Sequence, residues 1–205
     1  MKVLLINGSP RSNGNTSTAL TEIAKVLNEY DIETMIIHVG NLAIRGCVGC
    51  NCCLKDGKCV FNDMINEVAK YFEEADGLIV GSPVYYSNAN GTLINFLTRL
   101  FHSTKFDKRM KVGASVVCGR RGGLSATYDS LNKFFGVSGM PIVTSQYWNS
   151  VHGKDIGEAL SDEEGLQTMR TLARNMAFLM KSIKLGKDKF GLPEKEKPIK
   201  TNFVR

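Results

Sequence analysis

The sequence predicts an α/β protein in which helices cover both faces of a parallel sheet. Short apolar runs alternate along the chain with amphipathic segments of helical period, and polar, glycine-rich loops follow several of these runs. Continuous rather than alternating apolar character is typical of strands that are buried on both faces. At 205 residues the chain is long enough to form one domain with a full core.

Each apolar run of strand type ends at a turn residue or a polar residue. The run "KVLLIN" consists mainly of aliphatic side chains, and the run "GLIVGSP" stops at a proline. The five predicted strands are residues 2–7, 33–39, 77–83, 111–119 and 140–146.

The segments between the strands have apolar residues at three- and four-residue spacing, as amphipathic helices do. The predicted helices are residues 16–30, 63–75, 91–101, 125–136 and 162–183. Parallel sheets bind ligands beyond the carboxyl ends of their strands. We therefore expect the site in the loops after the first, third and fourth strands, with the irregular cysteine-rich loop 47–59 close to it.

Charge and hydropathy restrict the possible partners. The formal net charge is +6, and much of the basic charge lies in residues 181–200, interleaved with Glu and Asp as in a solvated tail. We expect no nucleic-acid partner and no membrane span, because the chain has no basic patch with aromatic side chains and its apolar runs are short. The first residues lead directly into a strand, so we expect no secretory signal and a cytoplasmic protein with reduced thiols.

The first loop, "NGSPRSNGNTST" (residues 7–18), runs from a strand directly into a helix. Backbone N–H groups at a helix start bind phosphate, and hydroxyl and amide side chains add further donors. A helix cap needs one such side chain, whereas this loop offers six around the helix start as well as an arginine: Ser9, Ser12, Asn15, Thr16, Ser17 and Thr18, with Arg11. The predicted phosphate ligands are Ser9, Arg11, Asn15, Thr16 and Ser17.

The glycine spacing in this loop narrows the choice of ligand. The loop contains neither G-x-x-x-x-G-K-[ST] nor G-x-G-x-x-G, and the second strand ends without the acidic residue that holds a dinucleotide ribose. The pattern therefore disfavours P-loop hydrolases and dinucleotide-binding Rossmann proteins. A five-stranded sheet with a hydroxyl-rich first loop instead fits a flavodoxin-like protein with a mononucleotide such as FMN.

The loops after the third and fourth strands also have the chemistry of a ligand site. The loop "GSPVYYSNANG" (81–91) offers a stiff proline, two tyrosines that can stack on a flat ring, and amide donors. The loop "CGRRGG" (118–123) offers two arginines between glycines, which allow a close approach of the backbone to a ligand. Surface packing of the tyrosines and a solvated arginine pair are the alternatives.

Several of these motifs together resemble one protein family. "INGSPRSNGNTS", "GSPVYYSNANGTLINFLTR" and the cysteine-rich loop between them resemble the NADPH-dependent FMN reductase and iron–sulfur flavoprotein branch of the flavodoxin-like superfamily. "GRRGG" and "SQYWNSVHG" are similar to an azoreductase-like subgroup. The resemblance covers residues 1–185, predicted as one FMN-binding domain, and leaves 186–205 as a basic C-terminal extension. It implies a three-layer, doubly wound sandwich whose five-stranded parallel sheet has the order 2-1-3-4-5.

The same resemblance implies which side chains border the flavin ring. They are Pro83, Val84, Tyr85, Tyr86, Ser87, Arg120, Gly122 and Gly123. Arg121 can face the flavin, a nicotinamide cofactor or solvent. The segment around Trp148 can shape the substrate side of the pocket or contact another subunit.

The cysteine spacing Cys47-x2-Cys50-x2-Cys53-x5-Cys59 lets several thiolates converge on one group. By spacing alone, an iron–sulfur cluster, a zinc ion and free structural or redox-active thiols are all open. The resemblance implies a [4Fe–4S] cluster with these four cysteines as its ligands. Cys118, at the end of a strand, is expected to be a small buried apolar residue.

The resemblance implies an NAD(P)H-dependent oxidoreductase of the FMN reductase type. Hydride would pass from NAD(P)H to N5 of bound FMN, and electrons would then reach free flavin, a quinone, an azo or nitro compound, or a redox protein such as ferredoxin. Because the flavin supplies this chemistry, no side chain is predicted as a catalytic acid or base. The alternative is an iron–sulfur flavoprotein or flavodoxin-like carrier that passes electrons between proteins. The family also implies a homodimer or homotetramer.

Overall fold

A computed structural model describes residues 1–199, 201 and 203 of the chain. Its strands are β1 (Lys2–Asn7), β2 (Glu33–His38), β3 (Gly77–Tyr85), β4 (Asn88–Ala89), β5 (Val112–Gly119) and β6 (Ser150–His152). Five of them form a parallel sheet in the order β2-β1-β3-β5-β6, and β4 pairs antiparallel with the end of β3. The predicted flavodoxin-like order 2-1-3-4-5 is thereby confirmed, since β4 only adds a hairpin beside the parallel strands.

Helices cover both faces of this sheet. They are α1 (Asn15–Glu29), α2 (Cys52–Asp56), α3 (Met64–Glu74), α4 (Gly91–Ser103), α5 (Leu124–Gly136) and α6 (Glu163–Phe190), with a 3-10 turn at Glu158–Ser161. Helices α1 and α6 pack on one face, and α3, α4 and α5 pack on the other. The last helix runs past residue 185, where the sequence pattern places the end of the domain.

Strand β1 shows why the strands are continuously apolar. Val3 and Leu5 pack into the core under α1 and α6, whereas Leu4 and Ile6 pack into the core under α3, α4 and α5. All four side chains are buried, so neither face of the strand can be polar.

The predicted fifth strand, residues 140–146, is wrong. Within it Ile142 makes only an isolated bridge with Gly113. The fifth parallel strand is β6, which pairs with the end of β5. The buried side chain of Asn149 donates to the carbonyl of Val143 at 3.3 Å. The backbone carbonyl of Asn149 accepts from the N–H of Val117 at 3.0 Å. The residues between Ile142 and Ser150 therefore form a loop, and regular pairing with β5 begins only at Ser150.

The carboxyl ends of the parallel strands lie along one edge of the sheet. The register pairs Asn7 with His38 and Gly81, and it pairs Pro83 with Cys118. The loops after β1, β3 and β5 consequently meet at this edge. In the portion of the chain that the structure describes, no helix has the length and apolar character needed to cross a membrane.

Candidate functional site

A cleft with a volume of about 220 Å³ opens at the carboxyl edge of the sheet. It is lined by Arg11, Asn15, Thr16, Pro83, Val84, Tyr85, Cys118, Gly119, Arg120, Gly153 and Lys154. The three loops predicted to form the site thus line one cavity, together with the chain that follows β6. The predicted residues Ser9, Ser17, Tyr86, Ser87, Gly122 and Gly123 belong to the same loops but do not line the cleft.

The start of α1 suits a phosphate group. The helix begins after Gly14, and no side chain among the described residues caps its N-terminus. Its first backbone N–H groups therefore remain available to an anion. The side chain of Thr16 is buried at this helix start, while Arg11 is exposed on the turn before it. The hydroxyl of Ser9 accepts from the N–H of Arg11 at 3.2 Å and so helps to fix that turn.

Asn15 has a role beyond the predicted one. Its amide nitrogen donates to the carbonyl of Asp155 at 3.0 Å, and its amide oxygen accepts from the N–H of Ala159 at 3.2 Å. Arg11 also donates to the carbonyl of Lys154 at 3.3 Å. These bonds join the loop after β1 to the loop after β6. Whether Asn15 also binds phosphate stays a prediction.

The hairpin between β3 and β4 is strained at its tip. Tyr86 and Ser87 have φ angles of 49° and 59°, although neither is glycine. Positive φ at both central residues is the pattern of a type I′ turn, which favours Asn and Gly. The ring of Tyr85 lines the cleft, whereas Tyr86 is fully exposed. Strained backbone of this kind is concentrated at ligand sites.

The loop after β5 packs against that hairpin. Gly123 has a φ of 87°, and a β-carbon at this position would lie 2.7 Å from Oγ of Ser87. Only glycine allows this approach. Arg120 lines the cleft, whereas Arg121 does not.

Sequence patterns missed four residues that line the cleft, namely Cys118, Gly119, Gly153 and Lys154. Cys118 is buried, as expected for a small apolar residue, but it also faces the cleft. Burial raises the pKa of its thiol to about 12, with a smaller opposing effect from a hydrogen bond with Thr16. The Cys118 thiol is therefore protonated at neutral pH.

The loop that carries Lys154 is held by a carboxylate. Glu158 accepts from the backbone N–H groups of Lys154 at 2.6 Å and Asp155 at 3.1 Å, and these bonds lower the pKa of Glu158. Gly153 ends the segment "SQYWNSVHG", for which the substrate side of the pocket was one of the two predicted places, and Lys154 directly follows it.

A second cavity contains the cysteines. Its lining includes all four predicted ligand cysteines together with Val48, Val60, Phe61 and Arg99. Within residues 1–199, 201 and 203, no group of three His, Cys, Asp or Glu side chains is arranged to hold a single metal ion. A cubane cluster binds each thiolate at a different iron, so its ligands stand further apart than those of one ion. Four thiols around one largely apolar cavity fit that donor set.

The cysteine loop, expected close to the site, contributes no residue to the lining of the cleft. It packs beside Arg99, His102 and Ser103 in the C-terminal half of α4. Helix α4 begins at the sheet edge, where the side chain of Asn90 donates to the carbonyl of Gly8 at 2.7 Å. At 1.5 Å per residue, Arg99 lies roughly 12 Å further along the helix axis.

Two neighbouring thiols in this loop differ in acidity. Hydrogen bonds from the backbone N–H and the thiol of Cys52 lower the pKa of Cys50, and the same side-chain contact raises the pKa of Cys52.

The sequence profile of the NADPH-dependent FMN reductase family matches residues 1–155. With the flavodoxin-like fold and the cleft, this match defines the class of protein as a flavin-binding oxidoreductase. The chain belongs to the NADPH-dependent FMN reductase family, in its iron–sulfur flavoprotein branch. It is 36% identical over 192 residues to an iron–sulfur flavoprotein of Methanocaldococcus jannaschii. That alignment covers 90% of this chain and 100% of the relative. An iron–sulfur flavoprotein of Methanosarcina thermophila is 29% identical over 193 residues, with coverage of 92% and 100%.

Solved structures agree on the fold. RosB with bound 8-demethyl-8-formylriboflavin-5′-phosphate has a TM-score of 0.72 at 15% identity and covers 100% of this chain and 92% of its own. An archaeal flavodoxin has a TM-score of 0.60 at 15% identity, covering 88% and 99%. An NADH:FMN oxidoreductase has a TM-score of 0.58 at 21% identity, covering 90% and 89%. At these identities the likeness concerns the fold alone.

Proposed function

We propose that this protein is an NAD(P)H-dependent oxidoreductase that binds FMN in the cleft at the carboxyl edge of the sheet. The observation that carries the proposal is the convergence of the loops after β1, β3, β5 and β6 on one cleft at the open start of α1. The family supports it, and so does the flavin 5′-phosphate compound bound in RosB.

The chain provides complementary groups for each part of FMN. The N-terminus of α1, Thr16 and Arg11 would hold the phosphate. Pro83 and Tyr85 offer an apolar wall for the ring, and Arg120 offers positive charge beside it. FMN held there would supply the redox chemistry: it would take a hydride from NAD(P)H, leaving NAD(P)⁺, and would pass two electrons to an acceptor and the proton to the acceptor or to water. The protein binds and orients the flavin and shields part of it from water.

We also propose that Cys47, Cys50, Cys53 and Cys59 hold a [4Fe–4S] cluster, which would supply one-electron transfer. The shared cavity of the four thiols supports this, as do relatives named iron–sulfur flavoproteins. All six cysteines are unpaired, as suits a reducing compartment such as the cytoplasm.

The electron acceptor is then a small molecule, such as flavin, a quinone, or an azo or nitro compound, or a redox protein such as ferredoxin. A second candidate function is that of an electron carrier between proteins. The position of the thiol cavity favours this candidate, because Val48 and Val60 at its rim are 51% and 54% exposed. We further propose a homodimer or homotetramer, in keeping with the exposed, mutually packed rings of Tyr147 and Trp148.

The phosphate assignment is tested by titrating the flavin-free protein with FMN and following flavin fluorescence. Arg11→Ala and Thr16→Val should each weaken binding by roughly tenfold, about 1.4 kcal/mol for a lost hydrogen bond to a charged group. Arg174→Ala and Ser182→Ala on the exposed side of α6 are the matched controls. Unchanged affinity in both site variants would contradict the assignment.

Rapid anaerobic mixing with NADH or NADPH tests the reductase. Bleaching of the flavin absorbance by either nucleotide supports an enzyme. A flavin-loaded protein that neither nucleotide reduces would instead be a carrier.

A further inference from the structure

An arginine lies inside the protein beside the cysteine cavity. Arg99, on α4, has a side chain that is only 1% exposed. A buried cation is costly unless it is paired and its donors are satisfied. We therefore expect the guanidinium group of Arg99 to be paired with an anion and its N–H groups to have acceptors.

One side of the guanidinium group contacts the surrounding protein. Nη1 donates to Oδ2 of Asp63 at 2.7 Å and to the carbonyl of Arg45 at 3.3 Å. The guanidinium carbon lies 4.8 Å from the centre of the Phe61 ring, a cation–π distance. Asp63 also caps α3 by accepting from the N–H of Ile65 at 3.3 Å.

The other side of the group is directed at a sulfur. Nε and Nη2 lie 3.3 Å and 3.1 Å from Sγ of Cys59. Asn66 fixes the backbone of the same cysteine, because its side chain accepts from the N–H of Cys59 at 2.8 Å and donates to the carbonyl at 3.0 Å. The position of this sulfur is therefore set by two helices, α3 and α4.

This arrangement is specific to one of the four predicted ligands. Across residues 1–199, 201 and 203, arginine donates to the sulfur of Cys59 and to none of the other three. Burial opposes the charge on Arg99, but hydrogen bonds with Asp63 and Cys59 outweigh it, so the pKa of Arg99 lies above its ordinary value. A permanent cation thus donates two hydrogen bonds to a single thiol.

We propose that Arg99 is a positioning residue that raises the reduction potential of the cluster through the sulfur of Cys59. This inference rests on the proposed function, in which the four thiols hold a [4Fe–4S] cluster. One-electron reduction adds one negative charge to the cluster and its thiolates. Positive charge and N–H donors at a ligand sulfur stabilise the more negative form, and hydrogen bonds to sulfur are known to set such potentials. Asp63 offsets part of the positive charge of Arg99, so it lowers the reduction potential of the cluster.

Two substitutions, Arg99→Gln and Asp63→Asn, distinguish an effect on the reduction potential from a purely structural role of Arg99. Arg99→Gln keeps a polar side chain, shorter than arginine by two bonds, and removes the charge. Asp63→Asn keeps a residue that caps helices well and has nearly the same volume, but it leaves the charge of Arg99 without its counter-ion. If Arg99 acts on the cluster, the two substitutions shift the potential in opposite directions. If both residues merely brace the loop, the two substitutions have the same kind of effect.

The experiment is a mediated redox titration of the protein after anaerobic reconstitution with iron and sulfide, followed by the visible and electron paramagnetic resonance spectra. The proteins compared are the wild type, Arg99→Gln, Asp63→Asn and Arg174→Gln, the last removing an exposed positive charge from α6 on the opposite face of the sheet. We expect a more negative potential for Arg99→Gln, a more positive one for Asp63→Asn and no change for the control.

Equal potentials in all four proteins, or shifts of one sign in both site variants, would overturn the inference and leave the cluster assignment intact. A wild type that binds no iron and sulfide would overturn the cluster assignment and this inference together. If Arg99→Gln does not fold, Asp63→Asn decides alone: a positive shift at unchanged iron content supports the inference, and an unchanged or negative potential overturns it.

Discussion

The side-chain amide of Asn15 donates a hydrogen bond of 3.0 Å to the backbone carbonyl of Asp155. The two residues are 140 positions apart in the chain, at opposite ends of the proposed nucleotide-binding domain. The bond joins the loop after β1 to the loop after β6, so two walls of the cleft are fixed to each other before any ligand binds. Such preorganisation lowers the entropic cost of binding.

Substitution of Asn15 tests this role. Asn15→Ala removes two hydrogen bonds, so we expect the protein to lose about 2 kcal/mol of stability, at about 1 kcal/mol for each bond. Both FMN and riboflavin should bind more weakly, because the wall of the cleft is loosened. Urea unfolding and flavin fluorescence titration measure the two effects. Normal riboflavin binding beside weakened FMN binding would show that Asn15 is a phosphate ligand only, and Asn28→Ala on the exposed end of α1 is the control.

Gly153 is next to this bond and leaves no room for a side chain. A β-carbon at Gly153 would lie 2.5 Å from Nδ2 of Asn15. Gly153→Ala should therefore displace Asn15 and cost about 1–3 kcal/mol in the free energy of unfolding, as overpacking does. Gly186→Ala in α6, where a β-carbon meets nothing within 4 Å, should instead gain up to about 1 kcal/mol. Equal stability of the two variants would refute the steric account.

A substitution at the hairpin tip can raise stability and lower FMN affinity at the same time. The side chain of Tyr86 is fully exposed, and its φ of 49° is unfavourable for tyrosine and tolerable for asparagine. Tyr86→Asn should stabilise the protein by roughly 0.5–1 kcal/mol, because it relieves the backbone without removing any packing. If the ring contacts the flavin, FMN affinity falls at the same time. A loss of stability in urea unfolding would contradict the strain described at this turn.

The buried thiol of Cys118 predicts a dependence of stability on pH. Burial raises the pKa of this thiol to about 12 in the folded protein, whereas in the unfolded chain the pKa is near its ordinary value of 9.0. Between these values the folded state binds more protons than the unfolded state, so the stabilisation is complete below pH 9 and is lost as the pH rises towards 12. At about 1.4 kcal/mol per pH unit, the wild type should lose up to about 2 kcal/mol more than Cys118→Ala between pH 8 and about 10.5. Parallel losses in urea unfolding would show that the thiol is not buried in neutral form.

Local patterns were sufficient for much of the fold and for the loops that line the cleft. Strand β1 and the start of α1 are adjacent in sequence, so their apolar run and polar loop directly predict the place of the proposed phosphate site. The fifth strand escaped prediction because Ser150–His152 is short and carries polar residues, whereas the more apolar run before it only bridges at Ile142.

Sequence analysis did not identify Arg99 for a different reason. Its partners Cys59 and Asp63 lie 40 and 36 positions away, and no local pattern shows such contacts. A signal was nonetheless present, because Phe96, Arg99 and Ser103 recur at helical spacing and all three are buried. A charged residue on the buried face of a predicted helix indicates that a partner must exist.

Anaerobic purification followed by joint determination of flavin, iron and sulfide tests the central claim most directly. We expect about one FMN, about four iron and about four sulfide per chain, with broad iron–sulfur absorbance beneath the flavin bands. Removal of Cys59 should abolish iron and sulfide and leave FMN in place, because the two cavities are separate. A colourless protein that does not bind added FMN would contradict the account, and FMN without iron or sulfide would contradict its cluster.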